Sequence, residues 1–254
     1  MASHGYVVAA MDHSEVVAPE LARRVDETAT ETAARIEAII ASRVPDVRFL
    51  LDHLLSGAAD LELDAERIGL VGHSFGGWTV LATPDVESRM RSVVALAPGG
   101  SSSPKPGILR LKLTFSWGRD VPTLYLAGEN DVPIPLAGVY ELFGRTPSSK
   151  RMFILRRADH QHFIDNVGEA HEAVRAATFS PEAAWIPAAM RPIAELSSGE
   201  EAHTFVRGLS LAHFDATLRH VNAADRFLSG DVEATLASRG VEGLALPHGT
   251  MLIG

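Results

Sequence analysis

The 254-residue chain contains no cysteine. This excludes disulfides, thiolate metal sites and a cysteine nucleophile. Nor does it carry an excess of positive charge: 23 Lys and Arg against 32 Asp and Glu give a formal net charge of −9. Nucleic acid and anionic membrane surfaces are thereby disfavoured as partners. No uninterrupted apolar run is long enough for a transmembrane helix, so no membrane span is expected. The opening MASHGYVVAAMDH lacks a basic n-region and offers only a short apolar stretch before Asp12. It reads as no signal peptide, and the expected location is cytoplasmic, with secretion open if a further segment precedes it. There is no internal repeat, and low complexity is confined to PGGSSSPKPG. What the chain does have is 46% apolar residues against 22% charged. A chain of this size can bury roughly three quarters of the surface it exposes when unfolded, which excludes disorder as the main state.

Five segments read as buried parallel strands, because they are apolar, rich in β-branched residues and bounded by turn residues. They are residues 6–10, 67–71, 92–97, 123–127 and 151–155. Helical patterns lie between most of them. Residues 20–43 carry charges with Ala and Ile at helical spacing and stop before Pro45. Val47, Leu50, Leu51, Leu54 and Leu55 form the apolar face of a second helix that Gly57 would end. Further helices are expected after Ser74 and over 135–143, and C-terminal helices over 165–230. The alternation predicts an α/β fold, a mainly parallel sheet flanked by helices, in a single domain over 1–254. Residues 98–121 differ in texture and read either as a lid or as an ordinary connector.

Gly72-His73-Ser74-Phe75-Gly76-Gly77 directly follows a predicted strand and opens a predicted helix. A nucleophilic serine at such a turn adopts a strained backbone that projects its hydroxyl from the sheet edge. The flanking glycines are expected where a Cβ would meet neighbouring backbone. The helix start aims N–H groups at the site, and Phe75 N–H is the expected oxyanion donor. Serine needs a base, and the base an orienting carboxylate. After the strand over 123–127 comes Gly-Glu-Asn-Asp, which makes Asp131 the candidate acid and Glu129 its competitor. After the strand over 151–155 comes Asp159-His160-Gln161-His162. His160 is the favoured base, with His162 the alternative because it adjoins Phe163 and can turn inward. The same run could be read as a metal cluster, but no third ligand stands at a recognisable spacing, so no metal and no cofactor are expected. His73 reads as a packing residue, and His203, His213 and His220 as surface or core-edge residues of helices.

With HGYVVAAMDH, RIGLVGHSFGGWTVL, VVALAPGG, VPTLYLAGENDVPIP and ADHQHF in this order, the chain resembles the α/β-hydrolase superfamily. Within it, the chain is similar to the dienelactone-hydrolase-like and bacterial platelet-activating-factor-acetylhydrolase-like esterases. The resemblance runs from residue 1 to about 165. It implies a carboxylic ester substrate and an acyl-enzyme on Ser74, with His160 as proton shuttle and Asp131 as its orienting acid. Leu109, Leu111, Phe115 and Trp117 would then receive an apolar acyl group. The resemblance also implies that residues 1–12 hold the family's fourth strand. The loop that gives the second oxyanion donor would precede it, and that donor is worth about 3–4 kcal/mol in the transition state. A chain lacking it would be a truncated hydrolase or a weak or inactive binding protein on the same fold. Acyl transfer to an acceptor other than water, or perhydrolysis, is the remaining alternative. Open strand edges would favour a homodimer.

Overall fold

The computed structural model describes residues 1–57 and 61–246. It divides into two units, Met1–Ala65 and Glu66–Gly254.

In the first unit, a short helix α1 (Ser14–Val17) precedes the 27-residue helix α2 (Ala29–Leu55). Thr28 starts α2 with a reciprocal cap: its hydroxyl accepts from the Glu31 N–H at 3.2 Å, and Glu31 Oε2 accepts from the Thr28 N–H at 2.9 Å. The two helices expected on either side of Pro45 are one. Proline removes one backbone hydrogen bond and crowds the preceding turn. Here, however, the helix is tied to α1 on both sides of it. Arg43 pairs with Glu15 at 2.5 Å, and Asp46 accepts from Ser14 N–H at 2.9 Å and pairs with His13 at 3.0 Å. Gly57, with φ +81°, follows the helix end as expected. The strand expected over 6–10 does not form, and Val7 and Val8 are exposed. An apolar run becomes a strand only when a neighbour pairs its N–H and C=O groups, and no described strand does so here.

The second unit holds the sheet. Its elements are β1 (Ile68–His73), α3 (Phe75–Ala82), β2 (Met90–Leu96), β3 (Thr123–Gly128), α4 (Leu136–Arg145) and β4 (Lys150–Leu155). They are followed by α5 (Val167–Ala176), α6 (Trp185–Ala189), α7 (Gly199–Thr217), α8 (Asn222–Ser229), α9 (Val232–Ala237) and β5 (Gly243–Ala245). Strand order is β1-β2-β3-β4-β5; the first four run parallel and β5 is antiparallel to β4. Four predicted strands thus appear within a residue or two of their expected bounds, whereas β5 carries too short an apolar pattern to be seen in sequence. Val93, Val94, Leu124, Leu126, Leu155 and Met152 are buried, because helices cover the sheet.

Helix α7 begins with a second reciprocal cap, between Ser198 and Glu201, and buries Phe205, Leu209 and Phe214. A Cβ on Gly69 would stand 2.6 Å from the Phe214 ring, so that glycine lets α7 approach β1. Residues 98–121 have no regular secondary structure, but 111–117 alternate like a strand. Leu111, Leu113, Phe115 and Trp117 point inward, and Lys112, Thr114 and Ser116 outward. In place of a ladder, side chains satisfy this backbone. Trp78 Nε1 donates to the Lys112 carbonyl at 2.9 Å, Arg145 to the Leu113 carbonyl at 2.6 Å, and the Ser116 N–H to Asp85 at 2.6 Å. Among the described residues no helix is long and apolar enough to cross a membrane.

Candidate active site

Because β1 to β4 run parallel, their carboxyl ends share one edge, and every loop that leaves them opens there. Backbone strain concentrates at the same edge. Ser74 (φ 57°), Ala97 (φ 40°) and Arg157 (φ 48°) are non-glycine residues in the left-handed region, just after β1, β2 and β4. Ser74 has ψ −113° and makes no capping bond with its side chain. Its N–H donates to the Leu96 carbonyl at 2.9 Å, and its carbonyl accepts from Gly99 and Trp78, each at 3.1 Å. The turn is therefore fixed on β2, with Ser74 half-buried at the sheet edge. Phe75 is the first residue of α3, so its N–H lies at the positive end of the helix beside Ser74.

The glycines around this serine do different work. A Cβ on Gly72 would lie 2.2 Å from the Gly76 carbonyl oxygen, and one on Gly77 2.8 Å from Pro98 Cα. A Cβ on Gly76 would meet nothing within 4 Å. The expectation that both glycines flanking Ser74 are forced by close backbone thus holds for Gly72 and fails for Gly76. The second close approach falls one residue later.

His160 and Asp131 meet directly. His160 Nδ1 lies 2.7 Å from Asp131 Oδ2, and Asp131 Oδ1 accepts from the Ile134 N–H at 2.7 Å. Burial pushes the Asp131 carboxyl up, opposed by the neighbouring His160. A carboxylate beside Nδ1 holds the proton there and leaves Nε2 as the basic nitrogen. The two loops are knitted together, since the Asn130 N–H donates to the Ala158 carbonyl at 2.7 Å. A Cβ on Gly128 would stand 2.7 Å from that same oxygen. Ser74 comes to this pair through its neighbour: the His73 ring packs on the His160 ring, centroids 4.5 Å apart. Among the described residues no hydrogen bond joins the Ser74 hydroxyl to His160. Burial, with the nearby His160, lowers the His73 pKa to about 3, so that ring stays neutral. Glu129, the competitor to Asp131, instead pairs with Arg156 at 2.8 Å and accepts from the Arg157 N–H. His162 turns inward, fully buried, with Nε2 on the Ser197 carbonyl and Nδ1 on Asp159.

No family model matches the chain. Over 174 residues it is 27% identical to cutinase est1 of Thermobifida alba, an alignment covering 66% of this chain and 47% of that protein. Its structure resembles that of a ferulic acid esterase from Streptomyces cinnamoneus, with a TM-score of 0.56 and 21% identity. That match covers 83% of this chain and 55% of the other. The fold is that of the α/β-hydrolases. The chain spans about half the length of each of these two proteins.

In this α/β-hydrolase fold, a cavity of about 210 Å³ opens between the loops leaving β2 and β3, lined by Pro98, Gly100, Ile108, Ile134, Pro135 and Gly138 among others. Of the four apolar residues expected to receive an acyl group, Leu111, Phe115 and Trp117 are instead buried in packing, and Leu109 is exposed. Alternation over 111–117 explains the three buried residues, because every second side chain there turns under the loop; Leu109 lies before that stretch. His213 is buried and donates from Nε2 to the Pro122 carbonyl; burial lowers its pKa to about 4. Among the described residues, no group of three His, Cys, Asp or Glu is arranged to hold a metal ion. The sequence reading missed His171, which is buried against the Asp159 carboxylate. Twelve residues separate the two, and no local pattern joins them.

Proposed function

We propose that the protein is a serine ester hydrolase in which Ser74 is the nucleophile, His160 the general base and Asp131 its orienting acid. One observation carries this reading. A strained serine at the carboxyl end of β1 shares its sheet edge with a buried His160–Asp131 pair at 2.7 Å, and His73 packs against that histidine's ring. His160 Nε2 takes the Ser74 proton as Oγ attacks the ester carbonyl, and the Phe75 N–H stabilises the oxyanion. His160 then returns the proton to the leaving alcohol. Water, deprotonated by the same nitrogen, releases the acid. The cutinase and the ferulic acid esterase described above support an ester as the substrate class.

A small ester with an apolar acyl group suits the cavity, whose wall is mostly proline, isoleucine, alanine and glycine, with three serines, Lys105 and Glu141 as its polar lining. Residues 98–105 and Ile108 line that cavity, whereas the apolar side chains of 111–117 are packed beneath the loop. The test is Ser74→Ala in the full chain. Hydrolysis of p-nitrophenyl acetate is expected to fall by about a thousandfold or more, labelling by a fluorophosphonate probe to vanish, and the unfolding midpoint to stay in place. Unchanged turnover in a folded variant would end the proposal.

A further inference from the structure

Beside the His160–Asp131 pair lies a second, deeper arrangement of one carboxylate and two imidazoles. Asp159, the residue immediately before His160, is buried, and so are His162 and His171. Asp159 Oδ1 lies 2.8 Å from His162 Nδ1 and accepts from the Gln161 N–H at 2.9 Å, while Oδ2 bonds His171 Nδ1. The far nitrogen of each ring is also held. His162 Nε2 donates to the Ser197 carbonyl and His171 Nε2 to the Arg191 carbonyl, each at 2.9 Å. A carbonyl oxygen only accepts, so each Nε2 bears hydrogen; His162 Nδ1 also accepts from the Asp159 N–H at 3.0 Å, and a bond from either Nδ1 to the carboxylate needs a further proton between its partners. Burial works to raise the Asp159 carboxyl, but the His162 hydrogen bond and the fields of both imidazoles outweigh it and hold it below its ordinary range.

These bonds converge on the backbone that sets the His160 ring. Ser197, which receives His162, also donates its N–H to the Arg157 carbonyl at 2.6 Å and its hydroxyl to the Arg156 carbonyl at 3.0 Å. The segment 156–163 is therefore pinned from the 191–197 stretch and from α5, the helix that carries His171. Nothing in ester hydrolysis requires a buried carboxylate clamped by two imidazoles at this place. A packed apolar core would hold an ordinary turn as well, without the desolvation that buried polar groups entail.

We infer that Asp159, His162 and His171 are positioning residues for the candidate base: the clamp on the Asp159 carboxylate fixes the 158–160 backbone so that His160 Nδ1 meets Asp131. This deepens the hydrolase reading and rests on it for its catalytic meaning, but its geometric content is testable alone. The decisive variants are His171→Leu, of similar volume and without a donor, and His171→Asn, whose amide nitrogen takes the place of Nδ1. The first readout is proton NMR of the full chain, following the downfield His160 Nδ1 proton shared with Asp131. It is expected in the wild type, lost or moved upfield in H171L, and recovered in H171N. The second is steady-state hydrolysis of p-nitrophenyl acetate, where H171L should lower kcat by about tenfold with KM within about twofold, and H171N should restore most of it. Should H171L fail to fold, the isosteric Asp159→Asn gives the same two readouts. A folded H171L or D159N with an unmoved His160 proton overturns the inference, as does an equal loss in H171L and H171N. Failure of the hydrolase reading looks different: the wild type itself would neither turn over ester nor label at Ser74, while the NMR comparison would still decide the clamp.

Discussion

Gly72 and Gly76 both flank Ser74, and in the sequence they are equivalent members of one motif. Their surroundings separate them. A methyl on Gly72 would press on a backbone oxygen at 2.2 Å, which cannot swing aside like a side chain, whereas one on Gly76 meets open space within α3. Gly72→Ala should therefore open the elbow, costing about 2 kcal/mol or more of stability and most of the fluorophosphonate reactivity. Gly76→Ala should be neutral or stabilise the helix by up to about 1 kcal/mol. Thermal unfolding and probe-labelling rates on the two variants measure this, and equal behaviour would refute the assignment. The identities of Ser74, Asp131 and His160 could be proposed from chain order alone, because each follows a strand of readable pattern. The inward turn of His162 and the role of His171 could not, since both depend on a partner distant in sequence.

At the scale of elements, the parallel strands were legible because strands covered on both faces are written as continuous apolar runs. Val93, Val94 and Ala95, all buried, are the clearest case. Residues 6–10 carry the same signal and form no strand, which marks the limit of the rule: the pattern specifies burial, and pairing has to be supplied from elsewhere. Helix α2 errs in the other direction. Proline reads as a stop, yet the Arg43–Glu15 and Asp46–Ser14 contacts hold the helix across it. Pro45→Ala restores one backbone donor without disturbing those contacts. It should raise the stability of the helix by about 1–2 kcal/mol, the gain being limited by the greater freedom of the unfolded chain. Urea titration followed by far-ultraviolet circular dichroism tests it, and a loss of helix in the variant would contradict it.

For the molecule as a whole, buried histidines tie stability to pH. His73 and His213 have folded-state pKa values of about 3 and about 4, against about 6.5 when exposed. Between those limits the unfolded chain binds protons that the folded chain refuses, so stability is complete above about pH 6.5 and falls as pH drops toward 4. Asp131, raised by burial, acts in the opposite sense, which is why a variant comparison is needed. His213→Gln keeps a donor for the Pro122 carbonyl and removes the titration. It should reduce the stability lost between pH 7 and pH 5 by about 2 kcal/mol, read from urea unfolding at the two values; an unchanged loss would mean that His213 is protonated within the fold. By itself the sequence determined the α/β class, four of the strands and the order in which a hydroxyl, a carboxylate and an imidazole leave the sheet. Those features are local, written in periodicity and in the residues that end each strand. Only the tertiary structure decided which glycine the elbow requires, which histidine faces Asp131, and that the apolar side chains of 111–117 serve as core. Each of those outcomes depends on atoms brought within a few ångströms from distant parts of the chain, and no spacing along the sequence encodes that approach.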